Sequence, residues 1–598
     1  MQALILAAGM GKRLKELTKN NTKCMVKVNG IPLIDRMLNQ LERQNLSSII
    51  VVTGYEGGKL REHINSLGIN TPIVFIDNPI YDRTNNIYSL SLAKEYLKKE
   101  DTLLFESDIL FEDSVLESLI NDSRDTLALV DKYESWMDGT CVRLDSDDNI
   151  IDFISGRNFD FNNTTDCYKT VNIYKFSKHF SETHYVPFLE AYQIALGQNE
   201  YYEQVLKVIA TLDDAEIKGK RLDRQKWYEI DDIQDLDIAE TIFSADDEEK
   251  VLRLEERYGG YWRFPDLKDF CYLVNPYYPP QKMKDEIRAS FDRLITEYPS
   301  GMKVNSLLAG KVFGVHPENI VVGNGAAELI KSLIENAEGN IGFIRPTFEE
   351  YPNRCFKGVS VIYKPNNPNY SYTADELITF FNDKDINWMV IINPDNPSGN
   401  YIKKADLLKI IGWCKEKGIK LVIDESFADF SDELDNSLFD QELLVSNPHL
   451  YVMKSISKSY GVPGLRLGVL ASGNVDAISA IKKDVSIWNI NSFAEFFLQI
   501  MEKYNKDYVK ALERFRSERK RMYEELTKIP NIRVIPSQAN FFMIELLNGR
   551  KAIDLTKALL TNDHILIKDL YKKLDNKEYI RVAIKRSDEN DLLIRAMK

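Results

Sequence analysis

The sequence has no Cys-x-x-Cys pair: its six cysteines, Cys24, Cys141, Cys167, Cys271, Cys355 and Cys414, stand far apart. That spacing excludes a zinc ribbon or a disulfide framework and fits the reduced thiols of a cytoplasmic protein. No apolar run approaches the ~20 residues of a membrane-spanning helix. The opening MQALILAAGMGKRL also lacks the basic stretch that precedes the apolar core of a signal peptide. Basic residues are outnumbered, 77 Lys and Arg against 91 Asp and Glu, for a net charge of −14. Because affinity for a phosphate backbone needs dense cations, this balance excludes a nucleic-acid partner and leaves small anions as candidates. Internal repeats and low-complexity tracts are absent as well.

What is present is an ordinary globular composition, 44% hydrophobic and 28% charged, spread over 598 residues. Single cores stop growing near ~250–300 residues, so at least two domains are expected. Residues 1–240 alternate β-branched runs (ALILAAG, SSIIVVTGY, TPIVFID, TLLFESD) with amphipathic stretches such as LIDRMLNQLERQN, the pattern of a doubly wound α/β sheet. Polar, helical text closed by Gly259-Gly260 reads as a linker or connecting helix over 241–260. A second α/β series fills 261–598, with strands in NIVVGN, GNIGFIRP, WMVIINP, KLVIDES and LYVMKS.

In the second half, SISKSYGVPGLRLG places Lys458 among hydroxyls at a strand end. An imine with an aldehyde cofactor needs a desolvated ε-amine near fixed charge. VIDESFADF sets Asp424 where a carboxylate would pair with a pyridine nitrogen and keep the ring an electron sink. NPDNPSG offers Asn396 to the ring's phenolic oxygen. VVGNGAAELI turns from strand to helix, so the N–H groups of Gly325, Ala326 and Ala327 would hold a phosphate, aided by Ser455 and Arg466.

With these residues in this order, residues from about 262 to 598 resemble class I/II aminotransferases of the aspartate aminotransferase fold, a large α/β domain plus a small α+β domain. The likeness is to the histidinol-phosphate aminotransferase and threonine-phosphate decarboxylase branch. The resemblance implies pyridoxal 5'-phosphate as cofactor, with Lys458 as its imine lysine and proton shuttle. It implies that Phe348 stacks on the ring, Arg581 in YIRVAI forks onto the substrate carboxylate, and Asn275 opens the substrate-side loop. Tyr298 would be lent to a partner subunit's phosphate, which implies a homodimer. Phe427 stands where the wider family often has a tyrosine on the phenolic oxygen, so that hydrogen bond is absent.

In the first half, LILAAGMGKRL places Leu6 at a strand end, and the backbone from Ala8 through Gly9 to Gly11 would approach a nucleoside triphosphate while Lys12 and Arg13 meet its charge. Neither the Gly-Lys-Ser/Thr ending of a P-loop nor the Gly-x-Gly-x-x-Gly of a dinucleotide fold is present. Lys23 would face the phosphates from the other side. Asp108, closing TLLFESD, and Asp231, in WYEIDDIQDL, are suited to Mg²⁺, which prefers a few carboxylates together with phosphate oxygens and water.

Residues 1–240 thus resemble the sugar-nucleotidyltransferase superfamily, a Rossmann-like α/β fold, in the branch of the phosphocholine cytidylyltransferases. The implied reaction is in-line attack by a phosphate or phosphonate oxygen on the α-phosphorus of CTP, with Lys23 and Arg13 offsetting charge. Asn86 and Ser89 are the candidates for reading the base, and Lys169 for the second substrate's anion. Trp136 near Tyr133 would begin a cage for a choline-like cation or pack in the core, while Asp138 suits a primary ammonium.

One half handles an amino group and the other couples a nucleotide to a phosphorus oxyanion, so the shared molecule carries both ends. The fusion resembles bifunctional enzymes of phosphonate-tailed glycan and lipid assembly, in which a transaminase makes 2-aminoethylphosphonate from phosphonoacetaldehyde with an amino donor and a cytidylyltransferase makes its CMP conjugate. The alternatives are a phosphoserine-type decarboxylase feeding a phosphoethanolamine or phosphocholine cytidylyltransferase, and a nucleotidyltransferase carrying a non-catalytic sensing or dimerisation domain.

Overall fold

The computed structural model describes residues 1–212 and 216–598. They form two compact units, Met1–Tyr258 and Gly259–Lys598. In the first, apolar runs become the inner strands: Gln2–Ala7 pairs in parallel with Ile49–Thr53 and Thr102–Glu106, and Ile49–Thr53 pairs with Ile73–Asp77. Strands buried on both faces need such continuous runs, and clusters of buried side chains cover each face here. Beyond Thr102–Glu106 the nine-stranded sheet continues with antiparallel Cys167–Phe176, which also pairs Leu127–Lys132 and Cys141–Leu144.

Between Thr170 and Tyr174 the register to Leu127–Lys132 shifts, and Asn172 takes a φ of 60°. Bulges of this kind re-aim side chains and are common beside active sites. Helix Asp247–Glu256 buries Val251 and Leu254, and Arg253 pairs with Glu240 at 3.0 Å. The stretch read from sequence as a connecting helix therefore packs within the first unit, because its apolar stripe is buried there.

The second unit has a seven-stranded sheet in the order Ile320–Asn324, Leu467–Ser472, Leu450–Ser455, Lys420–Asp424, Trp388–Ile392, Ile341–Ile344, Ser360–Tyr363. Its strands run parallel except Leu467–Ser472, which is antiparallel to both neighbours. The carboxyl ends of parallel strands form a crevice for ligands. A smaller antiparallel sheet joins Ile532–Val534, Phe541–Leu546, Tyr579–Ala583 and Lys568–Asp569. The unit's first strand, Lys268–Asp269, pairs with Ile565–Leu566, and the Ala583 N–H donates to the Phe270 carbonyl at 2.9 Å. The beginning of the unit is thus stitched to its end. Among the described residues no helix is long and apolar enough to cross a membrane.

Candidate active sites

In the first unit, Asp108 follows strand Thr102–Glu106, and the pairing of Ile109–Phe111 with Trp227–Glu229 draws the WYEIDD segment alongside. Carboxylate oxygens of Asp108, Glu229 and Asp231 lie within 4.8 Å of one another. Lys23 Nζ reaches between two of them, donating to Asp231 Oδ1 at 2.7 Å and to Asp108 Oδ2, and Arg13 pairs with Asp231 at 2.7 Å. Burial alone would lower the Lys23 pKa, but Asp108 and Asp231 raise it above the ordinary lysine value. Burial works against the Asp231 anion, yet Lys23 and Arg13 hold its carboxyl below the usual range.

Asp108 Oδ1 is buried with no hydrogen-bond partner among the described residues. Three clustered carboxylates, one with an idle oxygen, fit a hard divalent cation that takes oxygen ligands. Gly11, at φ 58°, closes the loop onto this site: a Cβ there would stand 3.0 Å from Thr18 Cγ2 and 3.1 Å from Lys23 Cβ. The Thr18 hydroxyl fixes the same turn by donating to the Gly11 carbonyl at 2.8 Å. Leu6 and Ala8 are buried at the strand end, while Gly9 and Lys12 face solvent.

Other candidates have different surroundings. Lys169, 1% exposed, is matched by Glu229 at 3.1 Å and donates to the Thr170 carbonyl. Asn86 is engaged at both ends, donating to Glu106 at 2.9 Å and accepting from the Tyr202 N–H at 3.0 Å. Ser89 is buried and accepts from Asn78. Trp136 stacks on Tyr228 with centroids 5.0 Å apart, whereas Tyr133 packs on Phe159 at 4.7 Å, so the two do not form a cage with each other. Asp138 pairs with Arg13 at 3.4 Å. Glu229 and Asn172, which donates to it at 3.1 Å, are site residues the sequence reading left out. Glu229 had a signal, since it lies two residues before Asp231, the alternation that puts side chains on one face.

In the second unit, four strand ends converge. Lys458 follows Leu450–Ser455; burial, then the charges of Arg581 and Arg466, lower its pKa to about 8 against the opposing pull of Asp424. Asp424 ends Lys420–Asp424, accepting from the Tyr351 hydroxyl at 2.8 Å and the Ser426 N–H at 2.9 Å; burial raises its pKa. Arg581 donates to Asn396 Oδ1 at 2.7 Å and to the Cys271 carbonyl at 2.8 Å, leaving its buried Nε without a partner among the described residues. Asn275 is tied to the lysine segment, its N–H donating to the Lys458 carbonyl at 2.9 Å.

Gly325, at φ 74°, leads into helix Ala326–Glu335, which begins with Ala326 and Ala327, and a Cβ at Gly325 would stand 2.6 Å from Arg466 Nη2. Ser457 Oγ is buried and unpartnered among the described residues, beside Ser455. A glycine cradle against a guanidinium, an idle hydroxyl, a lysine of lowered pKa and a buried carboxylate fit pyridoxal 5'-phosphate. Phe348 leaves 42% of its surface open, as a ring-stacking residue must. Phe427 packs edge-to-face on Phe541, with no hydroxyl to offer. Tyr298 is 78% exposed and stacks on Trp488.

Residues 269–597 match the family described as Aminotransferase class I and II, and residues 3–142 the MobA-like NTP transferase domain. The whole chain is 29% identical over 603 aligned residues to a CMP-5'-(3-aminopropyl)phosphonate synthase of Streptomyces rubellomurinus, covering 100% of this chain and 94% of that one. It is 33% identical over 355 residues to an L-serine phosphate decarboxylase of Sulfurospirillum multivorans, covering 56% and 89%. The solved structure of a decarboxylase from Sulfurospirillum multivorans superposes with a TM-score of 0.52 at 30% identity, covering 56% of this chain and 90% of that one.

Proposed function

Because the chain belongs to the class I and II aminotransferases through residues 269–597 and carries a MobA-like NTP transferase domain ahead of them, we propose that it makes the CMP conjugate of an aminoalkyl phosphate or phosphonate in two steps. The second unit takes an α-amino acid whose side chain ends in a phosphoryl or phosphonyl group and removes its carboxylate. The first unit then joins the resulting amine, through a phosphorus oxygen, to the α-phosphorus of CTP, and pyrophosphate leaves.

The observation that carries this reading is the likeness, over both units in the same order, to a synthase named for 3-aminopropylphosphonate. That compound and phosphoethanolamine share one frame, N–C–C–X–P, with X a methylene or an oxygen. A unit similar to an L-serine phosphate decarboxylase would reach the frame by loss of CO₂ from the matching amino acid. Transamination of phosphonoacetaldehyde would give 2-aminoethylphosphonate, a frame one atom shorter.

Gly325, Ser455, Arg466, Asp424 and Lys458 would hold pyridoxal 5'-phosphate, which supplies an electron sink for the bond broken at Cα. Arg581 orients the α-carboxylate through two N–H groups, a fork that lysine lacks. Lys458, with its lowered pKa, returns a proton to Cα once CO₂ has gone. In the first unit Asp108, Glu229 and Asp231 would hold Mg²⁺, which offsets the triphosphate's charge. Lys23 and Arg13 face the phosphates, and no general base is needed because the attacking oxygen is already ionised. Exposed Tyr298 supports a homodimer in which it reaches the partner's cofactor site, and six free, scattered cysteines support a cytoplasmic location.

The test supplies the full chain with pyridoxal 5'-phosphate, Mg²⁺, CTP and either carboxyl-labelled serine phosphate or 2-amino-4-phosphonobutyrate, and follows CO₂ and pyrophosphate. Equal release of both supports the reading. Amine formed from phosphonoacetaldehyde and an amino donor without CO₂ would replace it with transamination. Pyrophosphate released only from ready-made amines would leave the second unit a scaffold.

A further inference from the structure

Next to the carboxylate cluster of the first unit lies a second polar group that the transfer chemistry does not use. Glu203 is 5% exposed, and its Oε2 has no hydrogen-bond partner among the described residues. The hydroxyls of Tyr174 and Tyr202, both fully buried, make no well-formed hydrogen bond among the described residues, and that of Tyr174 faces the hydroxyls of Thr170 and Tyr202. The two rings meet edge-to-face with centroids 5.7 Å apart, and both phenols feel the charge of Glu203. Glu203 is also close enough to Glu106, Glu229 and Lys169 for their charges to shift one another. The one lysine of this group is already matched by Glu229.

The group is framed, not loose. Asn86 bridges Glu106 to the Tyr202 N–H, which fixes the turn that presents Glu203. Asn172, on the bulge, donates to Glu229 and accepts from the Thr170 hydroxyl at 2.8 Å, tying the strand that carries Tyr174 to the Asp108–Glu229–Asp231 cluster. Burial raises the Glu203 pKa to about 7, the behaviour of an anion without its cation. A buried carboxylate oxygen and two phenol oxygens, each with a lone pair to give, offer three acceptors, and a primary ammonium brings three N–H donors. A trimethylammonium brings none.

We propose that Glu203, with the hydroxyls of Tyr174 and Tyr202, forms the ammonium subsite for the cytidylyl acceptor of the first unit. The acceptor would then place its phosphorus oxyanion at Lys23 and the carboxylate cluster and its amine at Glu203. The inference rests on the amine-bearing acceptor proposed above and adds which residues select it.

The test measures pyrophosphate release from CTP by the full chain with 3-aminopropylphosphonate, with propylphosphonate, which lacks the amine, and with phosphocholine. The wild type is expected to prefer the primary amine strongly. Glu203→Gln should raise KM for the amine by roughly 10- to 100-fold, the loss of a buried charge-assisted contact, while KM for propylphosphonate stays put. Tyr174→Phe keeps the ring packing, removes one acceptor and should raise the same KM less. If both variants lose both substrates in equal proportion, or keep the wild-type preference, Glu203 is structural and the inference falls. A wild type indifferent to the amine would instead overturn the acceptor proposed above.

Discussion

Gly325→Ala separates two effects of one methyl group. At φ 74° and ψ 164° a residue with a Cβ is strained, by about 1–3 kcal/mol, in both the free and the cofactor-bound protein. That strain lowers the stability of the second unit and shifts its melting by a few degrees. The new Cβ would also stand 2.6 Å from Arg466 Nη2. The guanidinium is the end of a flexible side chain and swings aside, so packing adds little, but it leaves the place from which it would meet the cofactor phosphate. Loss of one charge-assisted hydrogen bond is worth about 1.5–3 kcal/mol. Pyridoxal 5'-phosphate should therefore bind roughly 10- to 150-fold more weakly. Titration of the apoprotein followed by absorbance measures that Kd, and pyrophosphate release from a supplied amine serves as an internal control that should not change. A variant that melts earlier yet binds the cofactor within threefold of wild type would refute the role given to Arg466.

Lys458 must be neutral to attack an aldehyde. Since its pKa is lowered to about 8 from the ordinary 10.5, reductive trapping of a small aldehyde at Lys458 in the apoprotein should accelerate as pH rises to about 8 and then level off. A rate that keeps climbing toward 10.5, mapped by mass spectrometry to this peptide, would contradict the effect of burial and of Arg581 and Arg466. Arg581→Lys removes the fork and the donations to Asn396 and the Cys271 carbonyl, so KM for the amino acid should rise about tenfold or more while pyrophosphate release from a ready-made amine is unchanged. An unaltered KM would move the carboxylate elsewhere.

The strands that position both sites were legible because each is a short β-branched run bounded by turn residues, from ALILA to LYVMKS. Lys458, Asp424 and Asn396 lie at or just beyond the carboxyl ends of such runs, and a parallel sheet brings those ends together. Asp108 and Asp231 were legible for the same reason. Contacts made across the fold left no local trace. Nothing near Asp424 announces that Tyr351, 73 residues earlier, will bind its carboxylate. The pairing of Lys169 with Glu229 and the bulge at Asn172 depend on how three strands register, which alternation along one strand does not encode. The nearness of Trp136 and Tyr133 in sequence leaves open whether they begin a cage or pack in the core, because the ring each packs on, Tyr228 and Phe159 respectively, is distant along the chain.

The stitching of residues 268–271 to residues 564–583 also sets an order of events during synthesis. The first unit's sheet and cores are complete within Met1–Tyr258 and need nothing that the ribosome has yet to add. The second unit's opening strand, Lys268–Asp269, has no strand partner until Ile565–Leu566 has been added. At roughly 5 to 20 residues per second, that leaves a finished nucleotidyltransferase tethered for on the order of half a minute to a nascent partner still lacking its closing strands. During that interval the strand still waiting for its partner belongs to the second unit, so that is the half a chaperone would have to shield.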